Sequence, residues 1–244
     1  MKKIFLYILA GSLCFSACKK DDEVATYQEP ADINVQNTYD DQAIMKFMDE
    51  NYLDAQGNIK AFSATDTSDD NEKKLSALNY TKLPSGTIYI MREGAQPAAD
   101  NGKVIGSDDI IKIMGRAYAY QAIDNNGTVV FSAKSQFLNT IDDSTIPLVD
   151  PAYYYAKKKA RVDNGQERPY FEISGFREAL QKFTAFKDLP NETPYNLQGV
   201  IIVPSRAAFA RNAHYPYLGY NYRNKSFVFN FQIYGTDIRP DDDK

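Results

Sequence analysis

The chain has 244 residues, with 32 acidic against 28 basic side chains and a net charge of −4 at pH 7, a balance that argues against nucleic acid as a partner. Hydrophobic residues make up 43%, with 18 Tyr, 14 Phe and no Trp, enough for one substantial core. The two cysteines, Cys14 and Cys18, both lie at the start, so the rest of the chain has no thiol for a disulfide, a metal site or a nucleophile. No cofactor and no metal are expected.

Lys2 and Lys3 precede an apolar run, Ile4 to Leu13, far short of the ~20 residues of a membrane span. Phe15-Ser16-Ala17-Cys18 follows and resembles the lipobox of bacterial lipoproteins, with Phe15 where leucine is more usual. The resemblance implies a signal peptide at 1–17, cleavage before Cys18 and a diacyl anchor on its sulfur. More than one acyl chain is what stable anchoring requires. The alternative is an ordinary secreted chain with a chance cysteine. Lys19-Lys20-Asp21-Asp22-Glu23 is similar to the export signal of surface-exposed lipoproteins of the Bacteroidetes, or else it is a solvated tether. The implied location is the outer membrane, on its periplasmic or outer face. Residues 18–38 are polar, lack a period and read as a tether. Without Lys2 and Lys3, 26 basic residues stand against 32 acidic ones.

In residues 40–53, Ile44, Phe47, Met48 and Tyr52 share one helical face, and Asp40 or Asp41 can cap the start. Residues 54–79 are polar and loop-like. Their acidic run, Asp66 to Glu72, lacks calcium-loop spacing and reads as solvated. Thr87–Arg92 and Ile110–Tyr120 read as strands, Asn125-Asn126-Gly127 as a turn, and Val129–Ser132 as extended. Residues 136–168 read as an insertion. Their Tyr153-Tyr154-Tyr155 cluster and Lys157-Lys158-Lys159 could stack on nucleic acid, but the neighbouring acids and net charge favour a solvated loop. Phe176, Ala179, Leu180 and Phe183 recur at helical spacing. Gly199–Val203 is a strand. In the last strand Phe227, Phe229, Phe231 and Ile233 alternate with Val228, Asn230 and Gln232. One main helix among strands linked without crossovers indicates an antiparallel α+β fold.

Several stretches, taken in order, resemble the FKBP-type peptidyl-prolyl isomerases. Ser85 to Ile90 with Glu93-Gly94 is similar to the first strand of their lipoprotein members, and Ile111 to Ala117 to V-x-V-x-Y-x-G. Phe171 to Leu180 is similar to V-I-x-G-[WF]-x-E-[GA]-L, Val203 to Ala210 to I-P-x-x-L-A-Y-G, and Asn224 to Phe231 to N-x-[ST]-L-V-F-x-V. The resemblance covers 83–235, with insertions at 136–168 and 187–198. It implies a twisted antiparallel sheet wrapped around one helix, after an N-terminal helical extension at 39–82 and before a polar tail at 236–244.

It also implies a substrate pocket. Ile173 would offer its backbone N–H, Phe176 the floor, Phe209 the place of the Tyr in A-Y-G, and Phe229 that of the Phe in L-V-F. Phe131, Tyr120 and His214 complete the set, with simple core packing as the alternative for each phenylalanine and an exposed loop position for His214. Three departures erode it. The strand tyrosine is Gly115 unless Tyr118 or Tyr120 fills its space through a shifted register. The usual Asp is missing from Val130-Phe131-Ser132. Phe209 lacks a donor hydroxyl.

Prolyl rotation needs only an aromatic, water-poor pocket that prefers the twisted amide, plus donors for its carbonyl. Three readings follow: a peptide-binding module with weak or lost isomerase activity, an active isomerase or foldase for envelope proteins, or a surface lipoprotein binding glycan or protein through Tyr-rich 215–222. The expected partners are a proline-containing peptide or envelope protein, and the membrane through the anchor. A monomer is expected.

Overall fold

Runs of β-branched and aromatic residues separated by Gly, Pro and Asn build a strand-rich chain. The structure, a computed structural model, describes residues 27–143 and 145–244. The expected signal peptide, the expected lipobox with Cys18 and the start of the expected tether lie outside the described residues. In chain order the elements are α1 (Ile33–Glu50), β1 (Asn51–Leu53), β2 (Ile59–Ala61), β3 (Tyr80–Lys82), β4 (Ile88–Met91), β5 (Gly102–Val104), β6 (Ile110–Asn125) and β7 (Thr128–Asn139). Then follow β8 (Leu148–Val149), α2 (Lys158–Asn164), α3 (Ser174–Leu180), β9 (Thr184–Phe186), β10 (Gly199–Val203) and β11 (Lys225–Asp237).

The main sheet runs β3-β4-β10-β11-β6-β7, with β8 beside β6, and every pairing is antiparallel. The fold is therefore α+β, with α3 packed on one face of an antiparallel sheet. Gly175 lets α3 lie this close: a Cβ there would sit 2.3 Å from Thr87 Oγ1 and 2.8 Å from Val203 Cγ1. Asn126 (φ 54) and Gly127 (φ 85) form the tight β6–β7 turn, whose left-handed backbone matches the twist of the two strands.

Phe227, Phe229, Phe231 and Ile233 on β11 enter the core under α3. Each such ring is worth about 1.5–3 kcal/mol on burial. The opposite face is covered as well. Val228, Asn230 and Gln232 are all buried, because α1, the β1–β2 hairpin and, over Gln232, the segment at Asn196 cover that side. Asn230 is satisfied there: it donates to Gly57 O (2.9 Å) and Gly199 O (3.1 Å) and accepts from Ile59 N–H (3.1 Å).

Helix α1 starts seven residues before the expected Asp40, on the side-chain cap of Asp32 to Asn34 N–H. The early turns look polar, but their polar groups are docked. Gln36 donates to Asp40 (3.0 Å) and to Ala122 O (3.3 Å), and Asp40 accepts from the Ser205 N–H (2.8 Å) and hydroxyl (2.5 Å). Tyr52, expected on the helix, belongs to β1. Helix α3 is shorter than its stripe, ending at Leu180, and Thr184–Phe186 turns into β9 to pair with β5. Residues 136–139, read as insertion, continue β7.

Candidate functional site

Helix α3 carries Phe176 onto β11, where its ring lies 4.2 Å from Phe229 and 6.0 Å from Phe231. Ile173, at the N-cap of α3, Phe176, Phe209 and Phe229 thus converge in one core, and each is at most 1% exposed. The space beside them is taken. Tyr153 packs 5.6 Å from Phe176 and 5.8 Å from Phe229. The Ile173 N–H donates to Tyr153 O at 2.8 Å.

A bulge on β7 supplies a second plug. Ala117 pairs Leu138 and Tyr118 pairs Gln136, which leaves Phe137 as the extra residue and turns its ring inward. It meets Tyr153, Tyr217, Tyr222, Phe227 and Phe229 at 5.0–5.9 Å, edge to face, the arrangement that ring quadrupoles favour.

The strap Asp150–Lys157 that delivers Tyr153 is clamped. Asp150 pairs with the fully buried Arg239, Nη1 to Oδ2 at 2.8 Å and Nη2 to Oδ1, and with Lys157 at 3.1 Å. Burial alone would raise the Asp150 carboxyl, but the bonds from Arg239 and Lys157 win and hold it below the usual range. Arg239 and Arg168 both lie over the Tyr155 ring, at 3.7 and 4.2 Å. Buried Glu172 accepts from Ala156 N–H (2.9 Å) and Arg168 Nε (2.6 Å). Tyr153, Tyr154 and Tyr155 are therefore core residues, not the solvated loop read from the neighbouring charges. The Tyr153 hydroxyl, however, is buried without a partner, and burial pushes it far above its ordinary pKa.

Tyr120 and Phe131 are not part of this cluster. They stack on each other at 4.9 Å and pack against Phe47 of α1, on the opposite face of the sheet. On β6, Ile113, Ala117 and Ala119 face α3, while Tyr118 and Tyr120 face α1. Neither tyrosine can replace the side chain absent at Gly115. A Cβ there would sit 2.4 Å from Asn230 O, so the strands close on that position.

His214 is half-buried and stacks on Phe209 at 4.7 Å. Its Nε2 accepts the Tyr222 N–H at 2.8 Å. The Nδ1 contact to Asn212 O at 3.0 Å therefore requires the proton on Nδ1. Beside it, an open groove of about 420 Å³ is lined by Tyr170, Arg211, Asn212, His214, Tyr220, Asn221 and Arg223, among others. At its edge Leu218 holds φ 54 and is 65% exposed. Glu29 ties the start of the described chain to this end of the molecule through Arg223 (2.6 Å).

Sequence reasoning missed Tyr153, Phe137, Glu172 and Arg239. The Pro151-to-Ala156 run, apolar apart from its hydroxyls, was the signal for the first; the others carry none locally. Among the described residues, no group of three or more His, Cys, Asp or Glu is placed to hold a metal ion, and no helix is long and apolar enough to cross a membrane.

No family model matches the sequence, and no curated protein matches it. Among solved structures, FkpA from Escherichia coli is similar at 16% identity and a TM-score of 0.36, over 66% of this chain. The chain spans about half of FkpA, 53% of its length. A peptidyl-prolyl cis-trans isomerase from Pseudomonas syringae pv. tomato is similar at 13% identity and a TM-score of 0.38, over 86% of this chain and 99% of that one.

Proposed function

We propose that the chain is a divergent FKBP-like module of the cell envelope, anchored through Cys18, that binds peptide or another envelope protein and has lost prolyl isomerisation. The observation that carries this reading is the hydrogen bond from Ile173 N–H to Tyr153 O, at 2.8 Å. A substrate carbonyl would need that donor, and a prolyl ring would need the space that Tyr153 and Phe137 fill. Catalysis requires a site that binds the twisted amide better than the planar one; with this space filled, the peptide or partner would be held on the outer surface and not in the core under α3. The absent hydroxyl at Phe209 and absent Asp at Ser132 remove polar contacts in the same direction. The measurement is cis–trans exchange of an X-Phe-Pro peptide by NMR. The expected result is no acceleration at high protein concentration. Acceleration that disappears in Phe229→Leu would establish an active isomerase and overturn the reading.

A second reading, glycan or protein binding through residues 211–223, is favoured by the open tyrosine-lined groove at His214. Exposed tyrosines make broad amphipathic contacts. A panel of glycans and proline peptides, followed through the Tyr215 and Tyr220 resonances, separates the two ligand classes.

A further inference from the structure

On the α1 side of the sheet lies a cavity of about 160 Å³, lined by Phe47, Ile59, Tyr118, Tyr120, Val228 and Lys134, with Arg116 and Asn230 also contributing. An apolar cavity of about 150 Å³ suffices to take up benzene. The Phe47, Tyr120 and Phe131 rings, packed 4.9–5.9 Å apart, fix its wall.

A strained bulge delivers the cation. Ala119 pairs Ser135 and Gln121 pairs Ser132, so Ala133 and Lys134 stand opposite Tyr120 alone. Ala133 is held at φ 46, in the left-handed region that a residue with a Cβ avoids. Bulges re-aim side chains next to functional sites, and backbone strain concentrates there. Here the bulge places Lys134 Nζ 4.0 Å from the centre of the Tyr118 ring. Arg116 is already engaged, by Asp142 at 2.8 Å and Asn58 at 2.7 Å. Lys134 has no carboxylate partner among the described residues.

We propose that this cavity binds a small aromatic carboxylate, its ring between Phe47, Tyr118 and Tyr120 and its carboxylate on the Lys134 ammonium. The volume admits one ring, and a cation without a carboxylate partner selects an anionic head. The site is independent of the isomerase reading, since it lies on the other face of the sheet.

The test is an NMR titration of the chain from Lys19, which keeps every described residue, with phenylacetate, phenylacetamide and phenethylamine. Phenylacetate should shift the Phe47, Tyr118 and Tyr120 rings with a Kd of about 1 mM, the range for a ligand of this size. Phenethylamine should bind at least about fivefold more weakly. Lys134→Met, at an exposed position, should weaken phenylacetate about fivefold and leave phenylacetamide unchanged. Phenylacetate shifts that are absent or confined to other residues would overturn the proposal, as would equal binding of the amine or indifference to Lys134→Met.

Discussion

The amide of Ile173 donates to the carbonyl of Tyr153 across 2.8 Å, and the Tyr153 ring lies 5.6 Å from Phe176. One residue thus supplies both an acceptor for the helix N-terminus and a ring for the core beneath it. The helix gains a partner for one of its first N–H groups, which would otherwise be buried and unpaired.

Tyr153 brings a cost with it, because its hydroxyl is buried with no partner. An unsatisfied buried group costs about 1–3 kcal/mol. Tyr153→Phe should therefore stabilise the protein by about 1 kcal/mol in urea denaturation, whereas Tyr153→Ala should cost about 3–5 kcal/mol through the cavity it leaves.

The clamp between Asp150 and Arg239 should be strongly asymmetric. Removing one partner of a buried pair costs about 3–5 kcal/mol, while replacing both with apolar groups can be nearly neutral. Arg239→Met should lose most of that amount, and a further Asp150→Leu should recover part of it. The Asp150 carboxyl is held below its ordinary value, so its stabilisation is full above the unfolded pKa of about 3.9 and is lost as the pH falls through the lower folded value. Urea midpoints should drop across that acid range, with a shallower drop in Asp150→Asn.

Asp40 runs the other way. Burial raises its carboxyl above the usual 3.8, with Ser205, Gln36 and Arg206 offsetting part of the effect. The folded state then holds the proton more tightly than the unfolded state. The Asp40 contribution is fully present below the unfolded pKa and declines as the pH rises through the folded one. Asp40→Asn keeps an acceptor for Ser205 and should remove this decline, leaving α1 docked equally well on the acid side of the ordinary Asp value of about 3.9 and at neutral pH. Helix docking can be read from the Gln36 side-chain resonance.

Much of the fold was legible because its signals are local. The alternation of Phe227, Phe229 and Phe231 names a strand, and the Phe176-to-Phe183 stripe names a buried helix face. Polar residues with distant partners were not legible. Gln36 and Asp40 look like tether and cap, yet they dock on Ala122 and Ser205. Arg239 sits in what reads as a polar tail, yet it is buried against Asp150, 89 positions away. For the site, the residues that meet at α3 were found by resemblance. Phe131 was misplaced because one-residue bulges in β7 cannot be seen in the sequence, whereas Tyr120 would have needed a register shift that β6, alternating without a break from Ile113, does not make.

His214 should govern the order of the loop that it pins through both ring nitrogens. His214→Ala removes the acceptor of the Tyr222 N–H and the stacking on Phe209. Stability should fall by about 1–2 kcal/mol, and Tyr222 amide exchange should accelerate by at least about tenfold if opening becomes local. The measurement is hydrogen exchange at the Tyr222 amide in both proteins.

The closed core is tested most directly at the Ile173 amide. Native-state hydrogen exchange there should match the slowest amides of β11 and follow global unfolding, because the proton is held by Tyr153 beneath a clamped strap. Exchange much faster than that of β11, at low denaturant and without global unfolding, would mean that the strap lifts on its own and that the donor is free to receive a substrate.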